Sequence, residues 1–314
     1  MRLSSSWRTR LHQVGLGLGA ILFVWQAWSA LTAVAEQRVQ IAQPWLLVAG
    51  GLSVLVATLF QIAAWRLIMS DLNAQLGWRD SLRGYALPFV ARYIPGMVWG
   101  YLSRTHWLET RHGIAPERAN LGALIEVVAL VLSAALAAAV AGVLAGEMEL
   151  AVAGGLGLSA GLMGLAIARR LGKGSTPFHG WVERLLGLDW SAEVTFRRVL
   201  RAVPGQLGLW LFDGVMVWMS LAVIGVSIDG SVWVAVAGFA LAWLAGFLVF
   251  LLPAGLGLRE IGLAFMLTRY LGVGAAEAAA VSILARATFV MAELCYVAFG
   301  FVIGPSDTDK GGPS

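Results

Sequence analysis

Four stretches of this chain, residues 39–65, 127–146, 150–168 and 230–258, contain no charged residue. Each is close to or beyond the roughly 20 apolar residues that cross a hydrocarbon core. Water is absent at that depth, so the backbone must satisfy its own hydrogen bonds, and the runs are read as membrane helices. Further spans are predicted at 14–35, at 204–228 with Asp213 inside, and at 278–303 with Arg286 and Glu293 inside. Only 13% of the residues are charged and 59% are hydrophobic, whereas a soluble domain carries about 25% charged residues. The expected fold is all-α, a polytopic integral membrane helical bundle of about seven transmembrane helices.

Several function classes recede on the same grounds. The net charge of +4 is spread over the loops between spans, where membrane topology accounts for it, and no nucleic-acid partner is expected. Cys295 is the only cysteine, which excludes an intramolecular disulfide and a thiolate metal cluster. His12, His106, His112 and His179 form no H-E-x-x-H pair, so neither metal nor cofactor is expected. The G-x-S-x-G at 157–161 lies inside an apolar span with no base nearby, which argues against a nucleophile. No catalytic constellation emerges, and the chain is not expected to be an enzyme.

Topology raises a sharper question. With the N-terminus in the cytoplasm, and the first apolar run read as an uncleaved helix, Arg2, Arg8 and Arg10 lie inside, as do Arg66, Arg79 and Arg83 of the next inner loop. Arg104, Arg111 and Arg118 also favour the inside, yet an apolar segment, "ARYIPGMVWGYLSR" at 91–104, intervenes. A re-entrant hairpin resolves the conflict, because Pro88 and Pro95 each remove a helical hydrogen bond and Gly96 permits a turn. A second break, "LLPAGLGLRE", contains Pro253 at 158 positions after Pro95. Paired Pro/Gly interruptions in two halves point to a transporter-like inverted repeat, with halves of 1–146 and 147–303 in a single membrane domain and a polar tail at 304–314. Between the halves, "PFHGWVERLLGL" at 177–188 has the spacing of an amphipathic helix, either interfacial or packed under the bundle.

Charges within the spans are the candidates for function. Each costs at least about 2.5 kcal/mol at the bilayer centre unless it meets a partner or water. Arg92, Glu126, Asp213, Arg259, Glu260, Arg286 and Glu293 qualify, and Ser282, Arg286, Glu293 and Tyr296 fall on one face of the last helix. An ion pair of Arg286 with Glu260 or Glu126 would only lock the bundle. The set as a whole suggests a polar cavity in which arginines hold a phosphate and half-helix N-termini after Gly96 and Gly257 add N–H donors. The G-x-x-x-G matches at 15–19, 96–100, 142–146 and 157–161 are read as close helix packing or as docking surfaces.

"RYIPGMVW", Arg104 downstream of it, Glu126 in the next helix, "PAGLGLRE" and Arg286 in the last helix resemble, in that order, the lysylphosphatidylglycerol synthase transmembrane, or flippase-like, family. The resemblance covers residues 44–301, and Ala254 departs from it where the family often has a second glycine. It implies lipid translocation or lipid handling in a bacterial or archaeal cytoplasmic membrane. Members named for the enzyme add a cytosolic aminoacyl-transfer domain, which is not expected in a chain ending at Ser314, so their aminoacyl-lipid substrate is not carried over. Other relatives accompany polyprenyl-linked glycan machinery, so that lipid class stays open beside phospholipids.

The substrate-binding residues implied by the resemblance are Arg92, Pro95, Gly96, Arg104 and Glu126 in the first half, and Pro253, Gly255, Gly257, Arg259, Glu260 and Arg286 in the second. Asp213 and Glu293 are added for their intramembrane charge. The expected partners are membrane lipids, with a second copy or a lipid-modifying enzyme as further candidates. Two rivals remain: a membrane-interior glycosyl or phosphoryl transferase, and a non-transporting partner of a lipid-modifying enzyme.

Overall fold

The computed structural model describes residues 28, 32, 41–86, 88, 99–171, 194–226, 232–248 and 257–303. The expected first helix, apart from residues 28 and 32, lies outside these, as do the segment at 177–188, Arg92, Pro95, Gly96, Pro253, Gly255 and the tail. Within the described residues the chain is helical, with no strand. The helices are α1 (Trp45–Asp71), α2 (Trp78–Ala86), α3 (Trp99–His112), α4 (Pro116–Ala145), α5 (Met148–Leu171), α6 (Phe196–Val223), α7 (Val232–Leu248), α8 (Leu258–Leu271) and α9 (Ala275–Val302). Among them α1, α4, α5, α6 and α9 are long and apolar enough to cross a membrane, and α7 is a shorter apolar helix.

The lengths repeat: α1–α4 and α6–α9 each run long, short, short, long. The second short and second long helices keep register, since α3 and α4 begin 159 positions before α8 and α9. The two units meet through α1 and α6, which are antiparallel. The Ala42 N–H donates to Val223 O at 2.7 Å at one end, and Ser53 Oγ to Phe212 O at 2.7 Å further along. Gly205 beside Pro204 packs on Ala64 towards the other end. Antiparallel pairing inverts one unit relative to the other. Corresponding pairs pack alike, α4 on α7 as α9 on α2, and α3 on α4 as α8 on α9. This is the inverted repeat that the paired breaks pointed to.

Within each unit the two short helices do not count, by length and composition, among the five candidate spans of the described residues, although α7 is apolar. At 1.5 Å per residue α8 is only about 21 Å long, too short for a core of about 30 Å. Its start at Leu258 lies beside Arg286, the middle of the 28-residue α9. Likewise α3 leans on α4, with Thr105 Oγ1 donating to Asn120 Oδ1 at 2.9 Å. Its α2 partner lies along the far end of α9, where Tyr296 donates to Leu82 O at 2.7 Å and Arg79 to Ile303 O at 2.9 Å. Gly257, with φ +83°, turns the chain into α8 in a conformation that a side chain would strain.

Helix α5 stands outside the repeat and packs on α4. Contact is through bare backbone: a Cβ at Gly142 would come within 2.4 Å of the Ala151 nitrogen, and one at Gly154 within 2.3 Å of the Ala139 nitrogen. The G-x-x-x-G at 157–161 is spent on the same seam, with Gly157 on Ala135 and Gly161 on Leu132. The opposite side of α5, including Val152, Leu156, Met163 and Ile167, is exposed apolar surface suited to lipid. At the α4–α5 turn, Glu149 accepts from Arg269 at 3.1 Å and from Tyr270 at 3.1 Å. Partial burial, and then that carboxylate, push the Tyr270 phenol up from its ordinary value.

The seam yields a paired test. Gly154→Val forces two backbones apart and should cost about 1–3 kcal/mol as overpacking. Gly155→Val, one position on, meets nothing within 4 Å and should leave thermal unfolding in detergent nearly unchanged. Equal unfolding temperatures for the two variants would show that α4–α5 contact does not depend on the missing side chain.

Candidate functional site

The intramembrane charges gather into two centres, one in each unit. The first is built on Arg104, one and a half turns into α3, and Glu126 on α4. They form a salt bridge with Glu126 1% and Arg104 6% exposed. Tyr85 on α2 donates its hydroxyl to the other carboxylate oxygen at 2.6 Å. Three rings surround the guanidinium: Trp65 and Tyr85 at 4.8 Å each and Tyr101 at 5.3 Å from its carbon. Aromatic faces attract a cation most strongly where water is excluded. The Arg104 charge is thus met by one carboxylate and three rings contributed by α1, α2, α3 and α4, and the arrangement clamps these four helices together.

The second centre is assembled differently. Arg259 opens α8, and its guanidinium lies over Phe239 of α7 at 4.5 Å and Phe289 of α9 at 4.8 Å. Arg286, Glu260, Asp213 and Glu293 act on it electrostatically. Asp213 on α6 and Glu293 on α9 are each 3% exposed. Among the described residues the Arg259 guanidinium takes part in no ion pair and donates no hydrogen bond, so the two rings hold it while its donors remain available. It lines a small recess together with Phe239, Glu260, Ser282 and Arg286.

Glu260 serves two neighbours at once. One oxygen accepts the Gly257 N–H at 2.8 Å, capping α8, and the other accepts from Arg286 Nη1 at 3.3 Å. The Gly257 N–H is taken by the chain's own carboxylate, while the donors expected from this half-helix are the N–H groups that follow Gly257. Of the two partners considered for Arg286, Glu260 is the one present, because Glu126 is held by Arg104 across the α3–α4 contact.

Of the residues named from sequence, Asp213, Gly257, Arg259, Glu260, Arg286 and Glu293 come together at the second centre, and Arg104 and Glu126 at the first. The face of α9 bearing Ser282, Glu293 and Tyr296 is buried, as expected from their spacing. The rings were missed, since an aromatic residue in an apolar span carries no mark of whether it faces lipid or a cation. Gln206 was also missed. It is fully buried on α6, and neither its amide nitrogen nor its oxygen meets a partner among the described residues. The rule that singled out charges within spans, applied to neutral polar groups, would have found it.

The family model described as lysylphosphatidylglycerol synthase TM region matches residues 13–294 of the chain. No curated protein sequence matches it.

Proposed function

Because the chain belongs to the lysylphosphatidylglycerol synthase TM-region family, and is an integral membrane protein of lipid metabolism or transport, we propose that it carries a phosphate-bearing lipid across the bilayer. The head group passes through the second centre while its tails stay in the membrane. The observation that carries this reading is Arg259: a guanidinium beside the middle of the apolar helix α9, held by two phenyl rings and lining a recess. A guanidinium fork matches the oxygens of a phosphate, and stacking pre-orders it without using its donors.

The inverted repeat supports the same reading, since two units related in this way offer two equivalent packings around a central site. The lipid is a phospholipid or a polyprenyl-linked lipid, and the reaction is transport without bond making. Reconstitution into vesicles tests this directly. Fluorescent phospholipids and polyprenyl phosphates are placed in one leaflet, and exposure to a membrane-impermeant quencher reports exchange. Faster exchange of one class than in protein-free vesicles is expected. Folded protein that accelerates neither would overturn the proposal.

A further inference from the structure

Polar groups buried in a bundle are met by partners, and the serines around α6 follow that rule. Ser53 donates to Phe212 O at 2.7 Å, and Ser133, Ser220 and Ser282 each donate to a carbonyl of their own helix at 2.9 Å. The Trp210 indole donates to Ser133 Oγ at 2.9 Å. Gln206 departs from the rule. It is 0% exposed, and among the described residues neither its amide nitrogen nor its oxygen has a partner. A primary amide enclosed with both atoms unmet costs stability that only a bound polar group returns.

Its position says what comes near it. Gln206 stands two turns, about 10 Å, before Asp213 on the same face of α6, and Asp213 belongs to the second centre. Trp210, one turn on, packs against Phe239, the ring beneath Arg259. On the other side Gly205 packs on Ala64, whose neighbour Trp65 lies against Arg104. A head group leaving the recess along α6 towards the first centre therefore passes Gln206. The amide is enclosed in this packing, and it is reached when the two units shift against each other, as an inverted repeat allows.

The chemistry of a primary amide narrows what it takes. Its oxygen only accepts and its nitrogen only donates. A phosphodiester satisfies the nitrogen alone and an ammonium the oxygen alone, whereas two neighbouring hydroxyls donate and accept, and so satisfy both. Resting on the reading of the recess as a lipid-phosphate site, we infer that Gln206 binds the vicinal diol of the head group, from glycerol or from a sugar, as the phosphate moves past Arg259.

Exchange in vesicles holding the full chain tests this, with tail-labelled lipids and an impermeant quencher. Phosphatidylglycerol is set against phosphatidylpropanol, the same anion without the two hydroxyls. A glucosyl polyprenyl phosphate is set against the propyl ester of the same phosphate. Wild type should move the hydroxylated member of a pair about tenfold faster, the worth of two neutral hydrogen bonds, and the pair that shows it names the source of the diol. Gln206→Met, similar in length but apolar, should unfold at or above the wild-type temperature, because no unmet amide remains, and should lose the preference. Gln206→Asn, with the amide drawn back by one carbon, should lose most of it.

Equal wild-type rates within both pairs would overturn the inference and leave the transport reading standing. A preference that Gln206→Met keeps would put the diol elsewhere. A methionine variant that unfolds well below wild type would show that the amide holds the fold and not the lipid. No exchange of any of the four lipids would remove the transport reading itself, and this inference with it.

Discussion

Arg259→Ala is expected to weaken phosphate-lipid binding about 100-fold. A hydrogen bond to a charged group contributes about 1.5–3 kcal/mol, a guanidinium fork makes two, and about 3 kcal/mol in total corresponds to about 100-fold in affinity. Alanine also removes a cation that acts electrostatically on Asp213 and Glu293, so Arg259→Lys is the cleaner probe of function. Lysine keeps the charge but can neither lie flat between Phe239 and Phe289 nor present a fork. Its variant should fold as wild type and lose most of the binding. Glu260→Gln should behave differently, because a glutamine oxygen can still accept either the Gly257 N–H or an Arg286 donor. Lipid co-purification read by native mass spectrometry separates these outcomes. Retention of the same phosphate lipid by wild type and Arg259→Lys would remove Arg259 from the site.

The parts of this molecule governed by desolvation were legible in the order of its residues. Burying a charge in hydrocarbon is costly enough that charge-free runs mark the spans, and the run at 39–65 and the span at 278–303 fall on α1 and α9 with ends displaced by a few residues. Breaks at Pro and Gly were legible for a similar reason, since they cost backbone hydrogen bonds that only a special setting returns. Pairing was not legible. On sequence grounds Glu126 stood as a candidate partner of Arg286, and only the lean of α3 on α4 gives it to Arg104, 22 positions away.

Nor did spacing reveal that Glu260 caps its own helix. A glutamate three residues after Gly257 fits a capping box, yet it equally fits a cavity-lining acid. Aromatic residues show the limit most plainly. Phe265 is exposed on the same helix whose Arg259 lies on Phe239 and Phe289. Lipid and cation both favour a ring, so the residue type alone does not say which one it meets.

The first centre should respond to mutation in stability more than in binding, and unequally at its two ends. Arg104→Met strands Glu126, 1% exposed, with only the Tyr85 hydroxyl for company, and breaking a buried pair this way costs about 3–5 kcal/mol. Glu126→Gln leaves the opposite orphan, but Arg104 would still lie against Trp65, Tyr85 and Tyr101, and desolvated cation–π contacts return up to about 2 kcal/mol each. The arginine variant should therefore lose far more folded protein on heating in detergent than the glutamine one. Combining Arg104→Met with Glu126→Gln removes both charges and should recover much of the loss, a positive coupling of the kind that a double-mutant cycle measures. If instead Arg104→Met unfolds at the wild-type temperature and has lost lipid exchange, Arg104 serves the substrate, and the two related units would each contribute an arginine to the path of the phosphate.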